Sequence, residues 1–402
     1  MPEKRYSWIL LASLWIIALI GALPRFVMAF YQGQIAEDLN VSRSFVSFSW
    51  SFNLFITAVC LPLGGWLVDR HGAKKILFIS RMLGGLGAAI TYFSHDSSTF
   101  FFLGYGFLFA LTGLAATTEF SLLFHWFREK RGTANTILKS ASPLGLAILS
   151  PLFALYRDRL SWQDAFFATA FLALLVVLPL IYFVVQDPPF IKKQQPMDKE
   201  TGHSFRERIL ALRQALSSPI LCIVILALFT CGFNMGTVEM NLVAIHDTAH
   251  VPSHEIGCAL ALMGLLDVTG SFAFGYLLDR YSRLIVLSLL YLFRTVGFLL
   301  LSWHLPVSPL LFSLFFGTTY VGAVPGSLLV ANEYYKESGS LTGSLLLVHS
   351  AAGILSASAG GLVYDACNSY DIIILVNCGL CLATAAGYAF SAVRKPVILS
   401  NT

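Results

Sequence analysis

Gly64-Gly65-Trp66-Leu67-Val68-Asp69-Arg70-His71-Gly72-Ala73-Lys74-Lys75 is a short polar turn between two long apolar stretches, and its core returns 210 residues later as Gly275-Tyr276-Leu277-Leu278-Asp279-Arg280. A turn repeated at that distance predicts a chain built of two equivalent halves. Reading outward from the two turns, twelve apolar stretches follow one another: 7–30, 44–68, 75–94, 98–126, 132–156, 163–185, 219–245, 254–278, 284–303, 307–335, 340–364 and 371–392. Each is close to the 20 or so residues that a helix needs to cross a bilayer.

Composition agrees. Apolar residues make up 56% of the chain and charged residues only 12%, about half the charge of an ordinary soluble domain, and the mean hydropathy is +0.73. A soluble enzyme or a nucleic-acid-binding domain is therefore excluded, and the net charge of +4 needs no polyanionic partner. The first stretch follows Lys4 and Arg5 as a signal sequence would. It is too long for a signal core and lacks a small-x-small cleavage site, so an uncleaved first helix is expected. The seven cysteines lie almost entirely inside apolar stretches and predict packing residues, not disulfides. Cys378-Gly379-Leu380-Cys381 has redox spacing, but a helix in the membrane offers it no solvent.

Basic residues fix the expected orientation, because cytoplasmic loops carry the excess of Lys and Arg. With the N-terminus inside, 20 of the 26 fall on the cytoplasmic side, Arg81 among them. Arg43, Arg157 and Arg159 fall outside, and Arg25, Lys139 and Arg294 lie within apolar stretches. Both termini are then cytoplasmic. One long polar segment, with Asp187-Pro188-Pro189 near its start and a basic run around Arg206, separates six stretches from six. The expected organisation is an N-terminal six-helix bundle over 1–185, a cytoplasmic linker over 186–218 and a C-terminal six-helix bundle over 219–402. Six-helix repeats joined in this way are a transporter architecture, with the solute site near mid-membrane.

The turn at Gly64–Lys75 resembles the signature loop of the major facilitator superfamily. Further segments are similar to its bacterial branch related to monocarboxylate transporters and the oxalate:formate antiporter: Trp126-Phe-Arg-Glu-Lys-Arg-Gly-Thr-Ala134, Ser161-Trp-Gln-Asp-Ala-Phe166, Gly361-Leu-Val-Tyr-Asp365 and Ser369-Tyr-Asp371. The resemblance covers nearly the whole chain. It implies the major facilitator fold, an all-α membrane protein of twelve helices in two pseudo-symmetric bundles, and alternating access. It also implies that Gly65, Asp69, Arg70 and Gly72, with Asp279 and Arg280 in the second half, form a gate latching the cytoplasmic side. Asp69, at a helix end, is expected to cap a neighbouring helix and pair with Arg70 or Arg131. Where the branch runs on in small residues after Arg-Gly-x-Ala, Asn135 and Lys139 intervene, so no relative's substrate carries over.

Ionisable residues in mid-membrane cost about 2.5–3.5 kcal/mol each on insertion scales, so each needs a partner or a wet cavity. Six stand out, and helical rise pairs them by depth. Arg25 and Glu239 lie about 9 Å from the outer face, Glu119 and Lys139 about 10–12 Å from the cytoplasmic face, and Asp267 and Arg294 about 16 Å from it. All three can be structural bridges. Arg25 with Glu239 would join the halves on the outer side, and Asp267 with Arg294 reads as structural. The fold's cavity-lining helices make Arg25, Glu119, Glu239 and Lys139 solute or coupling candidates. His349, beside Ser350, can bind a carboxylate, carry a proton or simply pack. Asn53, Asn234, Asn241 and Tyr320 are candidate polar contacts. His246, His250 and His254 recur every fourth residue, a metal-like spacing, but Pro252 interrupts them and no zinc is expected.

The sequence thus predicts a bacterial inner-membrane secondary transporter, monomeric, without cofactor or catalytic activity. The favoured solute is a carboxylate-bearing organic anion, coupled to protons or to an exchanged anion. Export of an amphipathic compound or siderophore, served by the 33 Phe and 15 Tyr, is the alternative within transport. A non-transporting membrane sensor is the alternative outside it.

Overall fold

The computed structural model describes residues 5–95, 97–127, 129–157, 159–187, 218–303, 307–334 and 339–394. Most of the linker, including Lys192, Lys193, Arg206 and Arg208, lies outside the described residues. Among those described there is no strand. The chain divides into two compact units, Met1–Gln195 and Pro196–Thr402.

In the first unit the helices are α1 (Arg5–Phe30), a short α2 (Gln32–Asp38), α3 (Arg43–His71), α4 (Ala73–Tyr92), α5 (Ser98–Trp126), α6 (Arg131–Leu155) and α7 (Trp162–Phe183). Local chemistry sets their starts. Ser42 accepts from the Phe45 N–H at 3.2 Å to cap α3, and Ser97 accepts from Phe100 at 3.3 Å to cap α5. Ser161 and Asp164 close a reciprocal capping box on α7, at 3.1 and 2.9 Å. Gly72, at φ +89°, ends α3 and reverses the chain within one residue, a conformation that favours glycine. The core is the apolar face of α1 (Leu10, Leu14, Ile17) packed on Leu77, Leu122, Phe127, Val177 and Ile181.

The second unit holds α8 (Pro219–Thr248), α9 (Ser253–Arg280), α10 (Arg283–Ser302), α11 (Ser308–Gly317), α12 (Ala323–Tyr334), α13 (Gly339–Cys367) and α14 (Asp371–Arg394). Its closest pairings are α8 along α13 and α10 along α14. Small residues permit the first of these. A Cβ on Gly232 would fall on the His349 carbonyl, and one on Gly236 on the Gly353 carbonyl. Backbone cannot swing aside, so Gly232→Ala is expected to force α8 and α13 apart at a cost of about 1–3 kcal/mol, the range for overpacking. A lowered melting temperature of purified protein in detergent would show it; an unchanged one would mean the pair tolerates the shift.

Ten of these helices are long and apolar enough to cross a membrane. Of the other predicted stretches, α4 has twenty residues but carries Lys74, Lys75 and Arg81, and 308–334 is broken between α11 and α12. The helix containing His246 ends at Thr248, and His250 sits at φ +55°. The three histidines therefore share no helical face.

Candidate functional site

Each unit contains its own polar interior. In the first, a cavity of about 270 Å³ is lined by Arg25 of α1, Trp50 and Asn53 of α3, Arg81 of α4 and Tyr105 and Phe109 of α5. The Arg25 guanidinium lies over the Trp50 ring, 5.9 Å from its centroid, a cation–π arrangement that fixes the plane of the group. Asn53 donates to the Tyr105 carbonyl at 2.6 Å. Tyr105 belongs to a π-helical turn, Phe102–Leu108, and such a turn disturbs the regular ladder. Asn53 thereby holds α5 against α3 and adds an amide to the cavity wall.

The carboxylate of Glu119 on α5 forms an ion pair with Arg81, not with Lys139 as depth alone suggested. The Lys139 ammonium sits 5.7 Å from the centroid of the Phe120 ring on an exposed position. The reason is angular: helices α4 and α5 pack along their length, so Arg81 and Glu119 meet across that contact. Sequence reasoning had left Arg81 on the cytoplasmic side. Its place eight residues past Ala73, about 12 Å along α4, was the available signal that it belongs with the buried charges.

The second unit's interior is organised by Arg294 of α10, which is fully buried. The break between α11 and α12 leaves carbonyls without helical partners, and the guanidinium takes them. Nη2 donates to the Thr319 carbonyl at 2.8 Å and the Tyr320 carbonyl at 3.0 Å, Nε to Thr319 Oγ1 at 3.3 Å, and Nη1 to Asn234 Oδ1 at 3.3 Å. The expected bridge from Arg294 to Asp267 is thus replaced by a brace across a broken helix. Asp267 on α9 is within electrostatic reach of Arg294 and of Glu239, but its Oδ1 is buried with no hydrogen-bond partner. Glu239 on α8 accepts from the Tyr320 hydroxyl. His349 on α13 lies within reach of Glu239 and beside the Cys231 thiol, its Nε2 buried and without a hydrogen-bond partner. Three titratable side chains, Asp267, Glu239 and His349, therefore converge from three helices.

Asn234 and Asn241 are occupied in packing. Asn234 donates to Asn377 Oδ1 at 2.8 Å, tying α8 to α14, and Asn241 donates to the Ala357 carbonyl at 3.3 Å, tying α8 to α13.

The signature loop differs from expectation in its capping group. Asp69 is exposed and, among the described residues, makes no hydrogen bond or ion pair. The carboxylate that caps α4 is Asp187, accepting from the Lys74 N–H at 2.8 Å and resting against Gly72 where any side chain would crowd it. Asp69 lies in the last turn of α3, whose carbonyl end repels a carboxylate, whereas Gly72 turns the first N–H groups of α4 toward Asp187. Arg70 stacks 5.6 Å over Trp66, one turn back, and Arg131 Nε donates to the Phe127 carbonyl at 2.9 Å. In the repeat, Arg280 stacks 5.7 Å over Tyr276 in the same i, i−4 relation, so the sequence repeat is also a conformational one. Gly65 has open space where a Cβ would be. Asp187→Ala is expected to lower stability by about 1 kcal/mol, the usual loss for a helix cap, read as a small drop in melting temperature. A drop as large as that of a core truncation would instead mean that Asp187 holds the unit together.

A family model described as Major Facilitator Superfamily matches residues 14–357. The chain is 28% identical over 386 residues to an uncharacterized MFS-type transporter, YcxA, of Bacillus subtilis, covering 93% of this chain and 92% of that one. It is 25% identical to monocarboxylate transporter 3 of Rattus norvegicus, covering 92% and 77%. A shorter match, 26% over 197 residues, is to the D-galactonate transporter of Escherichia coli, covering 48% of this chain and 44% of that one. Among solved structures, the nucleoside transporter NupG superposes with a TM-score of 0.78 at 14% identity, covering 95% and 99%, and the xylose transporter XylE of E. coli with 0.72 at 16%, covering 96% of each chain. Those structural likenesses show the fold.

Proposed function

The chain belongs to the Major Facilitator Superfamily, and on that premise we propose that it is a secondary active transporter of a small carboxylate-bearing organic anion. One observation carries the solute class. Two guanidinium groups, Arg25 and Arg81, line the cavity of the first unit, and Arg81 is paired with Glu119. Guanidinium groups on the wall of a membrane cavity favour an anionic solute, to which they can give charge-assisted hydrogen bonds. Arg25 presents a planar fork suited to a carboxylate. Relatives named for monocarboxylates and for D-galactonate, itself a carboxylate, support the same class.

The finer reading follows the same premise. Twelve helices cross the bacterial inner membrane with both termini in the cytoplasm, α4 supplying the third and α11 with α12 the tenth. Access alternates as the two bundles rock, with the loops at Asp69 and Asp279 as gates. The protein acts as a monomer. Protons are the coupling ions, carried in the second unit by Asp267, Glu239 and His349, whose convergence supports a proton relay.

Purified protein in proteoliposomes, loaded in turn with organic acids, sugars, nucleosides, amino acids and siderophores, tests the solute class. Counterflow of at least one small carboxylate, stimulated by an inward proton gradient, is expected. Flux of only neutral or cationic solutes would overturn the assignment, and flux of none in a folded preparation would favour a sensor.

A further inference from the structure

Asn53 and Ser142 border the cavity of the first unit from α3 and α6, and neither has its hydrogen-bonding capacity filled. The amide of Asn53 is oriented by its neighbour. Nδ2 donates to the Tyr105 carbonyl at 2.6 Å, and a carbonyl can receive only a donor, so the other end of the amide is the acceptor Oδ1. That oxygen has no hydrogen-bond partner among the described residues, although Asn53 is only 8% exposed. The Ser142 hydroxyl likewise makes no hydrogen bond among the described residues. A serine or threonine inside a helix can satisfy itself on the carbonyl one turn back, as Ser13, Thr118 and Thr169 do on Ile9, Leu114 and Ala165 in this unit. Ser142 does not, and its hydroxyl is left for whatever fills the cavity. Arg81 borders the same cavity, and its Nε is buried with no hydrogen-bond partner.

These groups make a demand that a carboxylate alone does not meet. Carboxylate oxygens only accept, so a solute's carboxylate cannot satisfy Asn53 Oδ1. An alkyl chain laid against the wall would strip water from Oδ1 and from the serine hydroxyl and return no hydrogen bond. A site built around such bonds rejects the analogue that lacks them. Solute hydroxyls meet every demand at once, because a hydroxyl donates to Oδ1, exchanges a bond with Ser142 in either direction and accepts from a guanidinium N–H. Between the polar groups the wall is apolar, with Ala22, Leu54 and Phe109, and the C–H bonds of a carbon chain can lie against it.

We propose that Asn53 and Ser142 form a hydroxyl-recognising wall, and that the transported anion is a polyhydroxylated carboxylate, an acid of the sugar-acid type. This rests on the organic-anion reading above and narrows it. Both groups are neutral, so the recognition requires no change of charge in the protein. Asn53 also holds α5 against α3 through the Tyr105 carbonyl, and its replacement would disturb packing and recognition together. Ser142 has no such second task among the described residues, which makes it the residue to vary.

Calorimetric binding to the purified transporter tests the proposal with matched series of probes. Glycerate, threonate and gluconate carry both the carboxylate and the hydroxyls. Propionate, butyrate and hexanoate keep the carboxylate and the chain length but lose the hydroxyls, and glycerol, threitol and sorbitol keep the hydroxyls but lose the charge. At least one hydroxylated acid should bind about tenfold or more tightly than both of its counterparts, the combined effect of two or more neutral hydrogen bonds. In Ser142→Ala that acid should weaken roughly two- to tenfold, the loss of one such bond, while the alkanoate of equal length holds or gains affinity. Ser142→Thr restores a hydroxyl and should recover most of the loss, with the melting temperatures of both variants near that of the wild type. Alkanoates that bind as tightly as their hydroxylated counterparts would overturn the proposal and leave the organic-anion reading standing. A loss in Ser142→Ala shared equally by hydroxylated acid and alkanoate, or no loss at all, would overturn the hydroxyl-recognising wall. Polyols that bind as tightly as the acids would instead remove the organic-anion reading and the sugar-acid class that rests on it. Binding of no probe to the folded wild type would end both.

Discussion

Arg294→Leu is expected to leave almost no folded protein. The substitution removes the donors to the Thr319 and Tyr320 carbonyls and to Asn234 Oδ1 while those acceptors stay buried. Each orphaned acceptor costs about 1–3 kcal/mol; Asn234 Oδ1 keeps the Cys381 thiol at 3.1 Å, so the two carbonyls together cost about 2–6 kcal/mol. That is comparable with the whole stability of a typical protein, about 5–15 kcal/mol. Arg294→Lys should rescue poorly, because an ammonium presents its protons from one point and cannot bridge acceptors set along a planar fork. Arg70→Gln, which removes an exposed arginine stacked on Trp66, serves as the control and should change stability by less than about 0.5 kcal/mol. The monodisperse fraction on gel filtration and the melting temperature in detergent are the measurements. A well-folded Arg294→Lys that no longer transports would reverse the interpretation, making the arginine a functional charge.

Arg25→Gln is expected to weaken solute binding severely with the fold intact. The residue lines a cavity and is not the brace of a broken backbone, so its removal leaves room that water can fill. Deleting one partner of a desolvated, hydrogen-bonded charge pair typically costs 2–5 kcal/mol. At about 1.4 kcal/mol per decade, affinity should fall roughly thirtyfold to several thousandfold. Arg25→Lys keeps the charge, loses the fork and should fall between. Trp50→Leu should cost less, about 0.5–2 kcal/mol, as it removes only the ring under the guanidinium. Calorimetric titration of the acid that gives the largest counterflow is the direct check. Unchanged affinity in Arg25→Gln would remove the arginine from the site and with it the first argument for an anionic solute.

Whatever depends on one-dimensional pattern was legible before any coordinates. Apolar stretches of bilayer length, the repeat at Asp69-Arg70 and Asp279-Arg280, and the Ser161 and Asp164 capping box are local features, and the family followed from their order. That Arg25, Glu119, Glu239, Asp267 and Arg294 lie within membrane helices was equally readable, since each falls inside an apolar stretch. Which charge meets which was not. Depth along a helix follows from counting residues at 1.5 Å each, but partnership also requires that two faces point at each other, and rotation about the axis is set by packing of neighbours far away in sequence. Glu119 therefore found Arg81 across the α4–α5 contact instead of Lys139 at similar depth. Asp187 took the helix cap assigned to Asp69, because the turn at Gly72 aims the first N–H groups of α4 that way. Arg294 left Asp267 for the carbonyls of a helix break inside 308–334, a stretch read as one apolar run although Gly317, Gly322 and Pro325 flank the break. The sequence by itself determined the membrane class, the repeat and most of the charges inside the membrane helices; tertiary structure alone decided their pairing, because pairing is a property of helix faces brought together in three dimensions.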